Sequence, residues 1–234
     1  MVDYRGRTVV VTGGTGALGT AVVGALAAAG AVCHVPYLIE AEARAFAYRD
    51  RKEVTLHADI DLTDEAAVGR FYGGLPGLWA SIHLAGGFAA GPIATAGKAV
   101  LAAQFEINAV TAYLSCRGAI SAMAANPDGG RIVNVAARPA LEWRSGAGMA
   151  AYAASKAAVA ALTVALAEEV AKDGILVNAV APSIIDTPAN RHAMPRADHG
   201  AWPKPEEVAQ TIVFLASPDN KVTRGAVVPV YGRA

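Results

Sequence analysis

The chain has 234 residues, 54% of them hydrophobic and 17% charged, which excludes a disordered segment and leaves room for one large buried sheet. Lys plus Arg equals Asp plus Glu at 20 each, so there is no basic field to attract nucleic acid or anionic lipid, and neither is expected as a partner. Cys33 and Cys116, the only cysteines, fall in a predicted strand and a predicted helix and read as small buried apolar groups rather than a disulfide.

In chain order, apolar runs predict strands at Thr8–Val11, Val32–Val35, Val54–Ala58, Ala80–Leu84, Arg131–Val135, Leu176–Val180 and Val227–Val230. Most are continuous rather than alternating, which suits strands covered on both faces. Between them, Leu18–Ala29, Glu65–Gly73, Val100–Ala124, Tyr152–Lys172 and Pro205–Ala216 read as helices. Alternating strand and helix implies an α/β fold: a Rossmann-type doubly wound sheet of about seven mainly parallel strands with helices on both faces. No linker divides the chain, so residues 1–234 are expected to form a single dinucleotide-binding domain. Met1–Arg7 is charged, with no apolar signal region, and Ala21–Ala31 is too short to span a bilayer, so a cytoplasmic location is expected.

The first strand runs into Thr12-Gly13-Gly14-Thr15-Gly16-Ala17-Leu18-Gly19 and then a helix. Glycines at 13, 16 and 19 permit a tight turn and let backbone amides reach a pyrophosphate at the positive end of the helix. Gly13, Thr15, Gly16, Leu18 and Gly19 are therefore the expected cofactor-binding segment. The second strand ends Val35-Pro36-Tyr37-Leu38, with neither the acid that bonds NAD ribose nor the Arg that accepts the NADP phosphate. Glu40 and Arg44 follow and could serve either way, so the preference between NAD(H) and NADP(H) stays open.

Tyr152 and Lys156 lie one helical turn apart and face the same side. A free tyrosine titrates near ~10, so acid/base work near neutral pH calls for a neighbouring positive charge such as Lys156. Asn108 interrupts an apolar helical stretch, Phe105–Leu114, where an amide needs a purpose. The helix from Tyr152 is apolar at nearly every position to Ala167 and wants burial on two sides, one against the sheet and the other against a second subunit. A homo-oligomer, dimer or tetramer, is expected. Residues 188–205 hold four prolines, two histidines and Trp202, and read as a substrate loop over about 186–204. His192 and His199 have no ligand spacing, so no metal is expected.

Over essentially its whole length the chain resembles the short-chain dehydrogenase/reductase family. The matching stations are the Thr-Gly turn, Asp61-Leu62-Thr63-Asp64, Ala85-Gly86-Gly87, Asn108, Arg131-Ile132-Val133-Asn134, Tyr152 with Lys156, Asn178-Ala179-Val180-Ala181-Pro182 and Asp186-Thr187. The resemblance implies that Asp61 and Leu62 hold the adenine and that Ala85 and Gly86 line the cofactor. It also implies that Pro182, Ile185 and Thr187 touch the nicotinamide end, and that Asn108 anchors a proton-relaying water toward Lys156. Tyr152 and Lys156 count both as catalytic and as cofactor-binding.

Departures are Ala17 at the middle glycine, His83-Leu84 where two asparagines are common, Ser183 after Pro182, and Val230-Tyr231-Gly232-Arg233 without the usual acid. The largest is Ala137, where the family places a catalytic serine; Ser145 and Arg138 are candidate substitutes for handling the substrate. Asp186-Thr187-Pro188-Ala189-Asn190-Arg191, Met194-Pro195, Ala197-Asp198 and Ala137 together resemble the dihydropteridine reductase branch. The implied function is an NAD(P)(H)-dependent oxidoreductase acting on a carbonyl/alcohol of a small metabolite, with Tyr152 as general acid/base. Reduction of a pterin-like C=N bond, or a non-redox cofactor-binding role, are the alternatives that Ala137 keeps in view.

Overall fold

The apolar runs assemble into one parallel seven-stranded sheet in the order β3-β2-β1-β4-β5-β6-β7, in a computed structural model that describes residues 2–234. The strands are β1 (Thr8–Thr12), β2 (Val32–Pro36), β3 (Val54–His57), β4 (Ala80–His83), β5 (Gly130–Val135), β6 (Ile175–Pro182) and β7 (Val227–Val230). Every predicted strand is present, with ends shifted by no more than two residues. Strand order reverses between β1 and β4, and that switch point opens the crevice at the carboxyl ends of the strands where such sheets bind ligands.

Successive side chains of a strand point to opposite faces, and the helices sort accordingly. Val9 and Val11 of β1 pack in one core cluster with Val22, Val23 and Leu26 of α1 (Ala17–Ala28) and with Val208 and Ile212 of α9 (Pro205–Leu215). Val10 faces the other way, toward Phe71 and Tyr72 of α3 (Glu65–Gly73), Leu114 and Met123 of α5 (Thr111–Met123), and Leu166 of α7 (Ala150–Glu169). The length and hydropathy of α7 would suit a membrane span, but it packs against β5 and β6 and carries buried Ser155, Lys156 and Thr163.

A buried polar chain crosses that second face. Tyr72 OH lies 2.8 Å from Ser81 Oγ, Ser81 Oγ 2.8 Å from His83 Nε2, and His83 Nδ1 2.8 Å from Asn134 Oδ1. Asn134 Nδ2 then donates to Thr163 Oγ1 at 3.0 Å, which donates to Val159 O at 2.8 Å. Burial pushes His83 down to about 4. The ring is therefore neutral, and because Asn134 Oδ1 can only accept, the proton is assigned to Nδ1. His83 thus lets β4, β5, α3 and α7 share a polar layer in which every member of the chain has a partner.

Three short helices escape the sequence reading: α2 (Glu40–Ala45), α6 (Arg138–Leu141) and α8 (Pro188–Ala193). Each is too brief to display a 3.6-residue period. The predicted helix Val100–Ala124 is three pieces, α4 (Lys98–Gln104), a π-helical stretch Phe105–Val110, and α5. Residues 186–204 are anchored by the C-terminal tail: Arg233 N donates to Ala201 O and Arg233 Nη2 to Gly200 O, both at 2.8 Å. Asp186 pairs with Arg191 through two hydrogen bonds of 2.5 and 2.7 Å.

Candidate active site

The glycine turn is shaped by what surrounds it. Gly13 sits at φ +63°, and a Cβ there would lie 2.6 Å from Ala85 N, just past β4. Gly19 is closed still more tightly, since its Cβ would run into the carbonyl of Gly13. These two glycines let the turn, α1 and the β4 loop touch, whereas at Gly16 the nearest atom would be 3.4 Å away. Gly16 begins α1 without a side-chain cap, so the first amides of a twelve-residue helix face the crevice at its positive end. A cradle that side chains would fill, at a helix N-terminus beside the switch point, fits the pyrophosphate of a dinucleotide.

The catalytic candidates gather on the far side of the same crevice. Lys156 Nζ donates to Val135 O at the end of β5 at 2.9 Å. Asn108 Nδ2 donates to Gly87 O at 3.0 Å and to Ser155 Oγ at 3.1 Å, while its Oδ1 accepts from Gly87 N at 3.0 Å. A Cβ on Gly86 would approach Asn108 Oδ1 to 2.7 Å and Lys156 Nζ to 3.3 Å, so Ala85-Gly86-Gly87, Asn108 and Lys156 form one tight group. The π-helical stretch explains Asn108: the extra residue in the turn aims a buried amide at the loop rather than into the helix's own ladder.

Tyr152 is half-buried, one turn before Lys156, with the ring of Phe88 edge-on at 5.0 Å. Burial pushes Tyr152 up to about 12 and Lys156 down to about 8. Desolvation alone moves the tyrosine, and the expected lowering by its lysine is not found. At neutral pH Tyr152 keeps its proton and Lys156 is an ammonium.

The other residues expected in the site lie at or just after the carboxyl ends of β1, β3 and β6. Thr15 Oγ1 donates to Glu42 Oε2 at 3.0 Å. Leu18, in the first turn of α1, is half-buried against the core. Asp61 Oδ1 accepts from Thr63 N at 2.8 Å and from Thr63 Oγ1 at 2.7 Å, and these bonds hold its carboxyl below the usual range. Leu62 packs at the edge of the second core cluster. Pro182 ends β6 opposite Val230, Ile185 O accepts from Asn190 Nδ2 at 2.8 Å, and Thr187 caps α8 through Asn190 N at 3.2 Å.

Ala137 is buried and supplies no side-chain donor. Ser145 does not stand in for it, because its exposed hydroxyl donates to Glu142 O at 2.7 Å. Arg138 is occupied by Glu142 Oε2 at 2.7 Å and lies over the Tyr231 ring at 5.0 Å. Trp202 is buried against His199, with ring centroids 4.7 Å apart, so it braces the loop; Trp143 stays exposed. Sequence reasoning passed over Phe88, whose signal was only an aromatic just after Ala85-Gly86-Gly87, and Glu42, which lies in a helix too short to show a period. Two cavities, about 770 Å³ between α3 and α5 and about 410 Å³ between Trp143 and α7, are lined by neither the glycine turn nor Tyr152.

Sheet topology, glycine cradle and Tyr-Lys pair together define a dinucleotide-binding protein of the doubly wound α/β class. A family model described as short chain dehydrogenase matches residues 7–198, and the chain belongs to that family. It is similar to the cis-4-hydroxycyclohexanecarboxylate dehydrogenase of Sinomonas cyclohexanicum, 35% identical over 98% of this chain and 96% of that one. Subunit BbsD of (2S)-[(R)-hydroxy(phenyl)methyl]succinyl-CoA dehydrogenase from Thauera aromatica is 39% identical, but the match spans only 44% of this chain and 44% of its own length. A solved dehydrogenase/reductase from Sinorhizobium meliloti has a TM-score of 0.85 at 26% identity, covering 98% of this chain and 95% of that one.

Proposed function

We propose that this chain is an NAD(P)(H)-dependent oxidoreductase that interconverts a carbonyl and an alcohol of a small metabolite, with Tyr152 as general acid/base. The observation that carries the reading is the convergence, across the switch point, of the glycine cradle with Tyr152, Lys156, Asn108 and Gly86. When bound, the nicotinamide supplies or accepts the hydride. Tyr152, protonated at neutral pH, gives its proton to the developing alkoxide and takes it back in the reverse direction. Lys156, one turn further along α7, brings a positive charge to the same side of the helix as Tyr152, and β5 holds its amine through Val135 O. Asn108 is a positioning residue, because both its donors and its acceptor are committed to Gly87 and Ser155. The test is oxidation or reduction of both nicotinamide cofactors, followed by absorbance, against a panel of carbonyls, alcohols and pterins.

The pH dependence follows from the pair. Reduction requires Lys156 charged and Tyr152 protonated; the lysine loses its proton first as pH rises, through about 8, and the tyrosine only near 12. In a pH-rate profile, kcat/KM for carbonyl reduction should be flat near neutrality and fall above about pH 8. A profile that climbs through this range would remove Lys156 from the charge-bearing role.

Ala137 leaves the substrate oxygen short of one donor. Where such donors are essential they contribute ~2.7 to 4 kcal/mol, so Ala137→Ser should raise turnover on a carbonyl substrate, by up to roughly 100-fold if the hydroxyl is well aimed. A serine variant that loses carbonyl activity while pterin reduction persists would favour the C=N reading instead.

A homo-oligomer is supported by exposed Leu101, Ile107, Tyr113 and Val164, which lie on adjoining helical segments, α4 through α5 and α7. A cytoplasmic location is part of this reading, and cell fractionation tests it.

A further inference from the structure

Beside Tyr152 runs a stretch whose side chains the proton transfer does not use. Residues 84–97, between β4 and α4, carry no charged side chain, and Phe88 among them sets its ring edge-on to that of Tyr152, with centroids 5.0 Å apart and planes at 82°. Backbone bonds fix its position. Gly87 N donates to Asn108 Oδ1 at 3.0 Å, Ala89 N to Oε1 of buried Gln104 at 3.2 Å, and Gly91 N to Gly148 O, just before α7, at 2.8 Å. The chain on both sides of Phe88 is therefore tied down, yet its ring is 61% exposed. A phenyl ring held against the acid/base phenol and covered on one side presents its open surface to whatever Tyr152 acts upon.

The other segments around Tyr152 agree in charge. Residues 145–155 carry none, nor do residues 182–185 after β6, and Ala136 and Ala137 at the end of β5 are buried. The charged side chains that follow these segments are engaged elsewhere: Arg138 Nε donates to Glu142, Asp186 pairs with Arg191, and Arg144 lines the cavity beside Trp143 that excludes Tyr152. A charged substrate group would lose hydration here with no free counter-charge to replace it. We infer that the substrate is an uncharged ketone with an aromatic ring on its carbonyl carbon, or the matching secondary alcohol, and that Phe88 selects it by packing on that ring. The 5.0 Å between centroids is about one ring width, which suits a ring bonded directly to the carbonyl rather than through a chain. In reduction the carbonyl carbon accepts the hydride of the reduced nicotinamide and the oxygen accepts the Tyr152 proton, giving a benzylic alcohol, oxidised nicotinamide and a phenolate that water reprotonates. This deepens the carbonyl reading of Tyr152 and rests on it.

Steady-state reduction of acetophenone, butanone and 4-acetylbenzoate by the full chain, with NADH and with NADPH, tests this. The value of kcat/KM should be highest for acetophenone, by roughly tenfold or more over the other two. Phe88→Leu keeps an apolar side chain and removes the aromatic face, so it should lower kcat/KM for acetophenone by roughly three- to tenfold, mostly through KM, and leave butanone within about twofold. The inference is overturned by equal kcat/KM for acetophenone and butanone, or by a preference for 4-acetylbenzoate, which would show that a cation such as Arg138 is free to meet it. A leucine variant that loses both uncharged ketones equally would overturn it too, since Phe88 would then only support Tyr152. No turnover of any ketone, nor of 1-phenylethanol in reverse, with either cofactor would instead remove the carbonyl reading itself and this inference with it.

Discussion

Tyr152→Phe should lower turnover by ~100-fold or more while leaving cofactor affinity within a few-fold of the unaltered protein. The substitution keeps the ring that meets Phe88 edge-on at 5.0 Å and deletes only the transferable proton. Because burial keeps the phenol protonated at neutral pH, it carries the proton that a developing alkoxide takes, and no other hydroxyl at the end of β5 replaces it: Ala137 has none and Ser145 is spent on Glu142 O. Lys156→Ala should impair both turnover and binding, since the amine that holds Val135 O also faces Gly86. Steady-state rates with calorimetric affinities for the two variants decide the matter. A phenylalanine variant with normal turnover would show that the proton comes from elsewhere.

Gly13→Val should abolish cofactor binding and also destabilise the fold. Sequence reasoning alone expects the affinity to suffer more than the fold, because the glycine is read as clearance for a pyrophosphate. In the folded chain the glycine also has a structural role. Its φ of +63° disfavours any L side chain, and a Cβ would press to 2.6 Å from Ala85 N and 2.8 Å from Leu84 C. These are backbone atoms of the β4 loop and cannot swing aside. A cost of about 3 kcal/mol or more is expected, lowering Tm by roughly 6 to 12 °C in a domain of this size. Gly16→Ala is the control, since its Cβ would meet only Gly13 O at 3.4 Å, and its melting temperature should stay within a few degrees. A valine variant at position 13 that melts like the unaltered protein would place the turn away from β4.

The sheet was legible because its strands are continuous apolar runs and burial on both faces leaves no other use for them. Val9, Val10 and Val11 need not alternate with polar residues, since helices wait on either side. Local signals also marked the two ends of the crevice, the glycine turn and the Tyr152–Lys156 helix. Asn108 was singled out as an anomaly, but the reason was hidden: a π-helical stretch changes the direction of one amide and leaves hydrophobic periodicity nearly intact. Glu40 and Arg44 were ambiguous, and Glu42 was passed over, for the same kind of reason, because a six-residue helix carries too little period to orient its side chains in advance.

By itself, then, the order of residues determined the α/β layering and the parallel strand direction, and it marked the Tyr-Lys pair as the candidate for proton transfer. These follow from local periodicity and from side-chain type. Only the tertiary structure decided which groups meet: Gly13 against Ala85, Asn108 against Gly87 and Ser155, Glu42 on Thr15, and Arg138 turned to Glu142 instead of the space beside Ala137. Each of these contacts joins elements brought together by packing across the sheet or by the path of a short helix, and burial then sets the protonation of Tyr152 and Lys156. Distance and desolvation are properties of the folded chain, and the order of residues carries no local record of them.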